Sequence, residues 1–155
     1  MKMFTLPRYE QLPDLPLYAN QTIEVVHQIL KDLTGDDKLP TAAMLHNYVS
    51  MGLISPPDGK YYGREHIARL IVVYAFKDIF TLQEIKQLFV LQRNYCDTQK
   101  AYDIFCDEIE WCISFAMSDA TQMIPLPGVG NFEAKLMRSM CMALAYRYTV
   151  EHMAL

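Results

Sequence analysis

Apolar residues recur every three or four positions along most of this chain, the spacing that places them on one face of an α-helix. The first such segment runs from Asn20 to about Leu33 and ends at a Thr34-Gly35 pair. Asn20 is the predicted N-cap, because its side chain can accept a hydrogen bond from a first-turn amide. The apolar face of this predicted helix consists of Ile23, Val26, Leu30 and Leu33.

A shorter helix is predicted at about Ala42–Ser50, between a Thr41 N-cap and Gly52, which suits the left-handed position past a helix end. Its predicted inward positions are Ala42, Leu45, Tyr48 and Val49, and its outward positions are Ala43, His46, Asn47 and Ser50. After it, Asp58-Gly59 is a tight-turn signal and Tyr61-Tyr62 favours a strand. This segment therefore predicts a small β-hairpin.

Two further helices are predicted after that turn. One spans about Arg64–Lys77, and the next opens at Thr81, which forms a capping box with Glu84. The predicted inward residues of the two helices are Ile67, Leu70, Ile71, Tyr74 and Ala75, then Ile85, Leu88 and Phe89.

Near the N-terminus, Pro7, Pro13 and Pro16 forbid a regular helix, so residues 1–19 are predicted to form an extended arm. The residues expected to pin this arm to a core are Leu6, Leu12, Leu15, Leu17 and Tyr18.

Two helices are predicted in residues 93–155, joined by a loop at Pro125–Gly130, with Asn131 as the N-cap of the second. In the first of them, one side is an apolar stripe of Tyr102, Phe105, Ile109, Cys112, Ile113 and Ala116, and another is an acidic, exposed face of Asp103, Asp107 and Glu110. The last helix has no charged residue between Arg138 and Arg147. Such a helix is usually buried on more than one side, here in the core of the monomer or against a second chain.

Together these elements predict an all-α fold with a small β-hairpin. The expected organisation is an arm at 1–19, a helical domain at 20–92 and a C-terminal helical segment at 93–155. A chain of 155 residues that is 52% hydrophobic can bury a core of this kind.

Net charge is −4, the wrong sign for a bulk nucleic-acid binder, but the acidity is unevenly spread. Residues 31–93 carry eight Lys/Arg against seven Asp/Glu, a net of +1, whereas residues 94–155 carry four against eight, a net of −4. A local basic face within residues 31–93 is therefore compatible with the composition.

The segment from Leu39 to Phe89 resembles the winged helix-turn-helix domain of MerR-type regulators. The resemblance is carried by Tyr48, Gly52-Leu53-Ile54, Tyr62 and the run from Phe80 to Lys86. The whole chain, including the arm LPRYEQLPDLPLY, is also similar to a small uncharacterised bacterial family described only as MerR-like. This resemblance implies a dimeric regulator with a recognition helix, a wing and a C-terminal effector or dimerisation segment.

The helix that follows Thr41 is the candidate DNA-reading element. Its exposed Ala43, Met44, His46 and Asn47 would face base edges, and Tyr48 is counted with the DNA-binding residues. Helix-start amides near Thr41, together with Lys60, Tyr61 and Arg64 on or near the wing, would contact phosphates. Members of the family often carry arginine where Ala43 and His46 stand here and tyrosine where Asn47 stands, which implies fewer charge-assisted phosphate contacts.

No metal, cofactor or catalytic site is predicted. The four cysteines, Cys96, Cys106, Cys112 and Cys141, form no C-x-x-C pair and are expected to be small buried thiols, although some MerR-type proteins hold a metal or redox sensor in this segment. No nucleophile, base and metal set converges, so we expect no enzyme. The N-terminus shows no signal peptide and no run could span a membrane, which favours a cytoplasmic protein.

Two functions from different classes follow. The first is a sequence-specific, homodimeric DNA-binding transcription regulator, with double-stranded DNA as its partner and a small apolar effector as a further ligand. The alternative is a protein-interaction module that kept the helical scaffold and does not bind DNA, because scaffold alone does not fix function.

Overall fold

A computed structural model describes residues 3–37, 39–118 and 132–153. These residues form six α-helices: α1 (Ala19–Thr34), α2 (Ala42–Ser50), α3 (Arg64–Phe76), α4 (Leu82–Gln92), α5 (Thr98–Met117) and α6 (Phe132–Met153). A single 3-10 turn, Tyr9–Gln11, interrupts the N-terminal arm. The described residues contain no strand, only two isolated antiparallel bridges. The fold is therefore all-α, as the apolar periodicity predicted.

The centre of the core is α3. Every residue of α3 from Ile67 to Phe76 except Arg69 is buried, because α1, α4, α5 and α6 all pack against this helix. The predicted inward residues of α3 and α4 are all buried, and so are the four apolar positions predicted for α1. The capping box at the start of α4 also forms, with Glu84 N donating to Thr81 Oγ1 at 3.1 Å and Thr81 N donating to Glu84 Oε1 at 2.9 Å.

The N-terminal arm is bound along α5 by the acidic residues that were predicted to be exposed. Arg8 donates to Glu110 at 2.6 Å and to Asp107 at 2.7 Å. The Tyr9 backbone amide donates to Asp103 at 2.8 Å. The prediction of exposure is therefore wrong for Asp103 and Glu110. Their carboxylates accept hydrogen bonds from backbone amides of the arm, which has no neighbouring strand to bind them. Asp107 stays exposed, although it too is paired.

Helices α5 and α6 run in the same direction. Tyr95, just before α5, is hydrogen-bonded to Glu133 at the start of α6, whereas Met117 at the end of α5 lies beside Tyr148 in α6. Midway, Arg138 forms a two-pronged ion pair with Glu108, and both side chains are buried. The ion pair holds α6 against the same helix that binds the arm.

Several local predictions were wrong. Asn20 is not the N-cap of α1, because the helix begins at Ala19 and Asn20 lies inside its first turn. Leu15 and Tyr18 do not pin the arm, since they are 55% and 44% exposed, whereas the other three predicted pinning residues are buried. Ala42 is exposed rather than inward, because it sits in the first turn of α2, beyond the packing contact. The predicted loop at Pro125–Gly130 and the Asn131 cap lie outside the described residues.

None of the described helices is long and apolar enough to cross a lipid bilayer.

Candidate nucleic-acid interface

Helix α2 presents a polar edge to solvent while its other side is anchored in the core. The Thr41 hydroxyl accepts a hydrogen bond from Met44 N at 3.1 Å and fixes the start of the helix, as predicted. Leu45 is buried, Met44 is half-buried, and three of the predicted reading positions are exposed. Those three positions are Ala43, His46 and Asn47. No described residue donates to or accepts from His46 through its side chain, so its imidazole is available to a ligand.

The C-terminal end of α2 is fixed by a Schellman motif. The amide of Gly52 donates to Val49 O at 3.0 Å, and that of Leu53 donates to Tyr48 O at 2.9 Å. Gly52 adopts a φ of 77°, as the left-handed position requires. Lys86 of α4 adds a 2.8 Å hydrogen bond to Met51 O. These contacts fix the orientation of α2 relative to the core.

Residues 58–61 form a tight turn in place of the predicted hairpin wing. Asp58 and Tyr61 exchange backbone hydrogen bonds of 2.9 and 3.0 Å around Gly59 and Lys60. Gly59 has a positive φ and Lys60 does not, which is the pattern of a type II′ turn. Tyr62 pairs instead with Leu17 of the arm, so neither tyrosine extends into a strand.

Lys60, Tyr61 and Tyr18 form an exposed cluster beside this turn. The Tyr18 and Tyr61 rings lie 5.1 Å apart, and their hydroxyl oxygens are 3.4 Å apart. Lys60 Nζ lies 5.8 Å from the centroid of the Tyr18 ring. The hydrogen bond that Tyr61 shares with Tyr18 raises the pKa of Tyr61 above its ordinary value. The cluster offers two phenol hydroxyls and one ammonium group to a ligand.

Two of the predicted DNA-binding residues are not available for this role. Tyr48 is 3% exposed, and burial raises its pKa to about 12. Arg64 donates to Leu12 O at 3.1 Å and to Glu10 O at 3.3 Å, so its guanidinium binds the arm. Both predictions are corrected: Tyr48 anchors α2 in the core, and Arg64 of α3 binds backbone carbonyl groups of the arm.

An open cleft of about 590 Å³ separates α2 from the turn and from the start of α1. It is lined by Tyr18, Ala19, Asn20, Ala42, His46, Val49, Pro57, Gly59, Lys60 and Tyr62. No carboxylate is among these residues. The first turns of α1 and α2 both reach the cleft, and their amide groups add partial positive charge. The electrostatic character of the cleft therefore suits an anion.

Tyr18 was missed as a functional residue by the sequence analysis, which placed it among the pinning residues of the arm. The backbone pairing of Leu17 with Tyr62 brings it beside Tyr61, although the two tyrosines are 43 positions apart in the chain. An exposed tyrosine directly after a proline-rich arm was the only local signal.

Two cavities of different size lie among the described helices and the arm. The one between α3, α4, α5 and α6 measures about 30 Å³ and is lined by apolar side chains such as Val72, Phe89 and Phe105. The other, between the arm, α5 and α6, measures about 230 Å³ and is lined in part by Phe4 and Tyr148. Pockets for small molecules usually measure roughly 300–1,000 Å³. The small apolar effector expected from the sequence stays a prediction.

Three of the cysteines are buried among apolar side chains, and all four are free thiols. Burial raises the pKa of Cys106 and of Cys112 to about 12, and it raises that of Cys141 well above its ordinary value. Within the described ranges no three metal-ligating side chains converge.

Comparison with the curated proteins found no match, and comparison with the solved structures found none either. One family model matches residues 7–105, which begin in the N-terminal arm, include α1 to α4 and the candidate interface, and end within α5. The match covers more than half of the chain, which therefore belongs to the family of the domain of unknown function DUF1836.

Proposed function

We propose that this protein is a sequence-specific DNA-binding transcription regulator that places α2 in the major groove. The observation that carries the proposal is the exposed polar edge of α2, held at a fixed angle by the Thr41 cap and the Schellman motif at Gly52. A major groove admits one α-helix, and the reading helix must be rigidly supported from its other side. The similarity of residues 39–89 to MerR-type domains supports the same role.

Asn47 and His46 are the residues that would distinguish bases. An asparagine amide can donate through its NH2 group to adenine N7 and accept through its oxygen from the adenine N6 amino group, so it recognises adenine in two places. The imidazole of His46 can donate to N7 or O6 of guanine. Both side chains are exposed on adjacent positions of α2. Ala43, also exposed, would allow close approach to a thymine methyl group.

The lack of strands among the described residues leaves DNA binding possible, but it changes the contacts expected next to α2. A hairpin wing would reach a flanking phosphate with a long arginine, whereas the short turn at 58–61 offers Lys60 and Tyr61 close to the helix. We therefore expect a compact footprint in which few side chains contact phosphates.

A homodimer formed through α6 would complete the regulator. One edge of α6 repeats at alternating intervals of four and three residues, the spacing of a coiled-coil seam. The residues of this edge are Phe132, Leu136, Ser139, Ala143, Tyr146, Val150 and Met153. Phe132, Val150 and Met153 are each more than 60% exposed, and no described element of the same chain covers them. A two-fold dimer would present two copies of α2 to an inverted repeat.

The experiment is selection of bound duplexes from a random DNA library with the purified full-length protein, followed by affinity measurements on the enriched site. We expect an inverted repeat with half-sites about one helical turn apart. His46→Ala with Asn47→Ala should reduce the preference for this site over random DNA by at least tenfold, since each good base contact discriminates by roughly 1–3 kcal/mol. The matched control, Asn94→Ala with His152→Ala, removes the same residue types from exposed positions outside α2.

No enrichment of any sequence would refute the proposal and favour the interaction module instead. Enrichment of a single half-site would retain DNA reading and reject the dimer. Undiminished preference in the His46/Asn47 variant, with an unchanged melting temperature, would remove these two residues from the reading role.

A further inference from the structure

We infer that the cleft beside α2 holds one strand of the DNA sugar–phosphate backbone, and that Tyr18, Lys60 and Tyr61 together bind a single phosphate at its edge. This inference rests on the proposed function and names the backbone contact of the same site. Tyr18 belongs to the junction between the arm and α1, outside the helix-turn-helix segment, so a third part of the chain takes part in the interface.

The charge of the cleft selects an anionic occupant. Lys60 lines it, and its described lining includes no aspartate or glutamate. Asp58 belongs to the turn at residues 58–61, but it is not among the residues that line the cleft. A segment that carries one negative charge per nucleotide fits this lining better than an acidic peptide, because the cleft is adjacent to the helix that reads bases.

The surface of the cleft is also amphipathic in the way that a nucleic-acid backbone is. Ala19, Ala42, Val49 and Pro57 supply apolar surface, whereas Tyr18 and Lys60 supply polar groups. A deoxyribose has an apolar face and is bonded directly to the phosphates on either side of it. One sugar against the apolar residues would therefore bring its phosphate to the lysine and the phenols.

The geometry of the phenol pair favours its use as a double donor. The two hydroxyl oxygens are 3.4 Å apart, longer than the 2.5–3.0 Å typical of O–H···O hydrogen bonds. A contact this long is weak, so turning both hydroxyls toward one phosphate oxygen loses little. Lys60 is exposed and forms no ion pair with any described residue, so its ammonium is free to join them.

The test separates the three groups by their salt dependence. We would measure the affinity for one fixed duplex, the selected site, from 50 to 300 mM salt. Lys60→Gln should lower the slope of log K against log salt by about 0.9, because one fewer counterion is released. Tyr18→Phe with Tyr61→Phe should weaken binding about tenfold at every salt concentration and leave the slope unchanged, because neutral hydroxyls release no counterion.

The controls remove the same chemical groups elsewhere. Tyr95→Phe deletes the hydroxyl of a tyrosine that is 59% exposed, and Lys135→Gln deletes an exposed ammonium on α6. Both should bind like the unaltered protein. If the unaltered protein binds no duplex, the proposed function fails and the inference fails with it. If it binds and the Lys60 and tyrosine variants match the controls, the backbone contact is wrong and DNA reading by α2 stands.

Discussion

Replacing Arg138 by methionine should destabilise the fold by about 3–5 kcal/mol, because it leaves the buried carboxylate of Glu108 without its cationic partner. Glu108 and Arg138 are 6% and 7% exposed, and two hydrogen bonds join them. The guanidinium also lies 4.4 Å from the centroid of the Trp111 ring. Methionine keeps the length and much of the volume of the arginine stem, so the loss would come from the uncompensated charge rather than from a cavity.

The companion variant tests this explanation. In Glu108→Leu with Arg138→Met both charges are gone, and two apolar side chains of similar volume face each other. We expect its free energy of unfolding to return to within about 1–2 kcal/mol of the original value. Glu151→Gln is the control, since it breaks an exposed ion pair on the same helix and should change stability by less than about 0.5 kcal/mol.

Urea denaturation followed by far-ultraviolet circular dichroism would measure all three variants. A loss of less than about 1 kcal/mol in Arg138→Met would refute the role of the uncompensated charge. A double variant no more stable than the single one would refute it too, because the loss would then stem from packing.

Two further predictions concern the end of α2 and the buried thiols. Gly52→Ala should lower the free energy of unfolding by about 1–2 kcal/mol, because Gly52 has a φ of 77°. Gly63→Ala, at an ordinary φ of −118°, should lose less, only the preference of an N-cap for glycine over alanine, and equal losses would contradict the backbone explanation. Ellman's reagent at pH 8 should modify Cys96 quickly and the other cysteines only on unfolding. The pKa of Cys106 and Cys112 rises from an ordinary 9.0 to about 12 in the folded state, so their contribution to stability is complete below pH 9 and is lost as pH rises toward 12; a free energy of unfolding that stays constant from pH 8 to 11 would be evidence against this assignment.

The helices that carry local signals could be predicted closely from the sequence. The start of α2 follows from Thr41 and its end from Gly52, because a cap and a left-handed glycine act within a few residues of themselves. The buried faces of α1, α3 and α4 follow from spacing alone. Asn20 misled the prediction because Gln21 Oε1 accepts the hydrogen bond from Tyr18 N, which places the N-cap at Tyr18, two residues earlier.

Long-range features could not be predicted. The acidic residues of α5 looked solvated because their partners, Arg8 and the arm backbone, lie about a hundred positions away. Arg64 looked available to DNA because the arm carbonyl groups that it binds, those of Leu12 and Glu10, lie 52 and 54 positions away in the chain. For the candidate site, the exposed edge of α2 was predicted correctly. The pairing of Tyr18 with Tyr61 depends on a backbone bridge that no sequence spacing encodes.

The arm contacts both α5 and the backbone next to the candidate interface. Leu6 and Leu12 are buried, Arg8 is bound to α5, and the backbone at Leu17 is bonded to Tyr62 beside the candidate interface. A shortened chain that started at Ala19 would therefore leave Asp107 and Glu110 of α5 without Arg8. It would also expose the apolar surface that Leu6 and Leu12 cover. It would also lose the two backbone hydrogen bonds between Leu17 and Tyr62. Residues 3–18 are therefore structural parts of the protein, and their removal would take away contacts to both α5 and Tyr62.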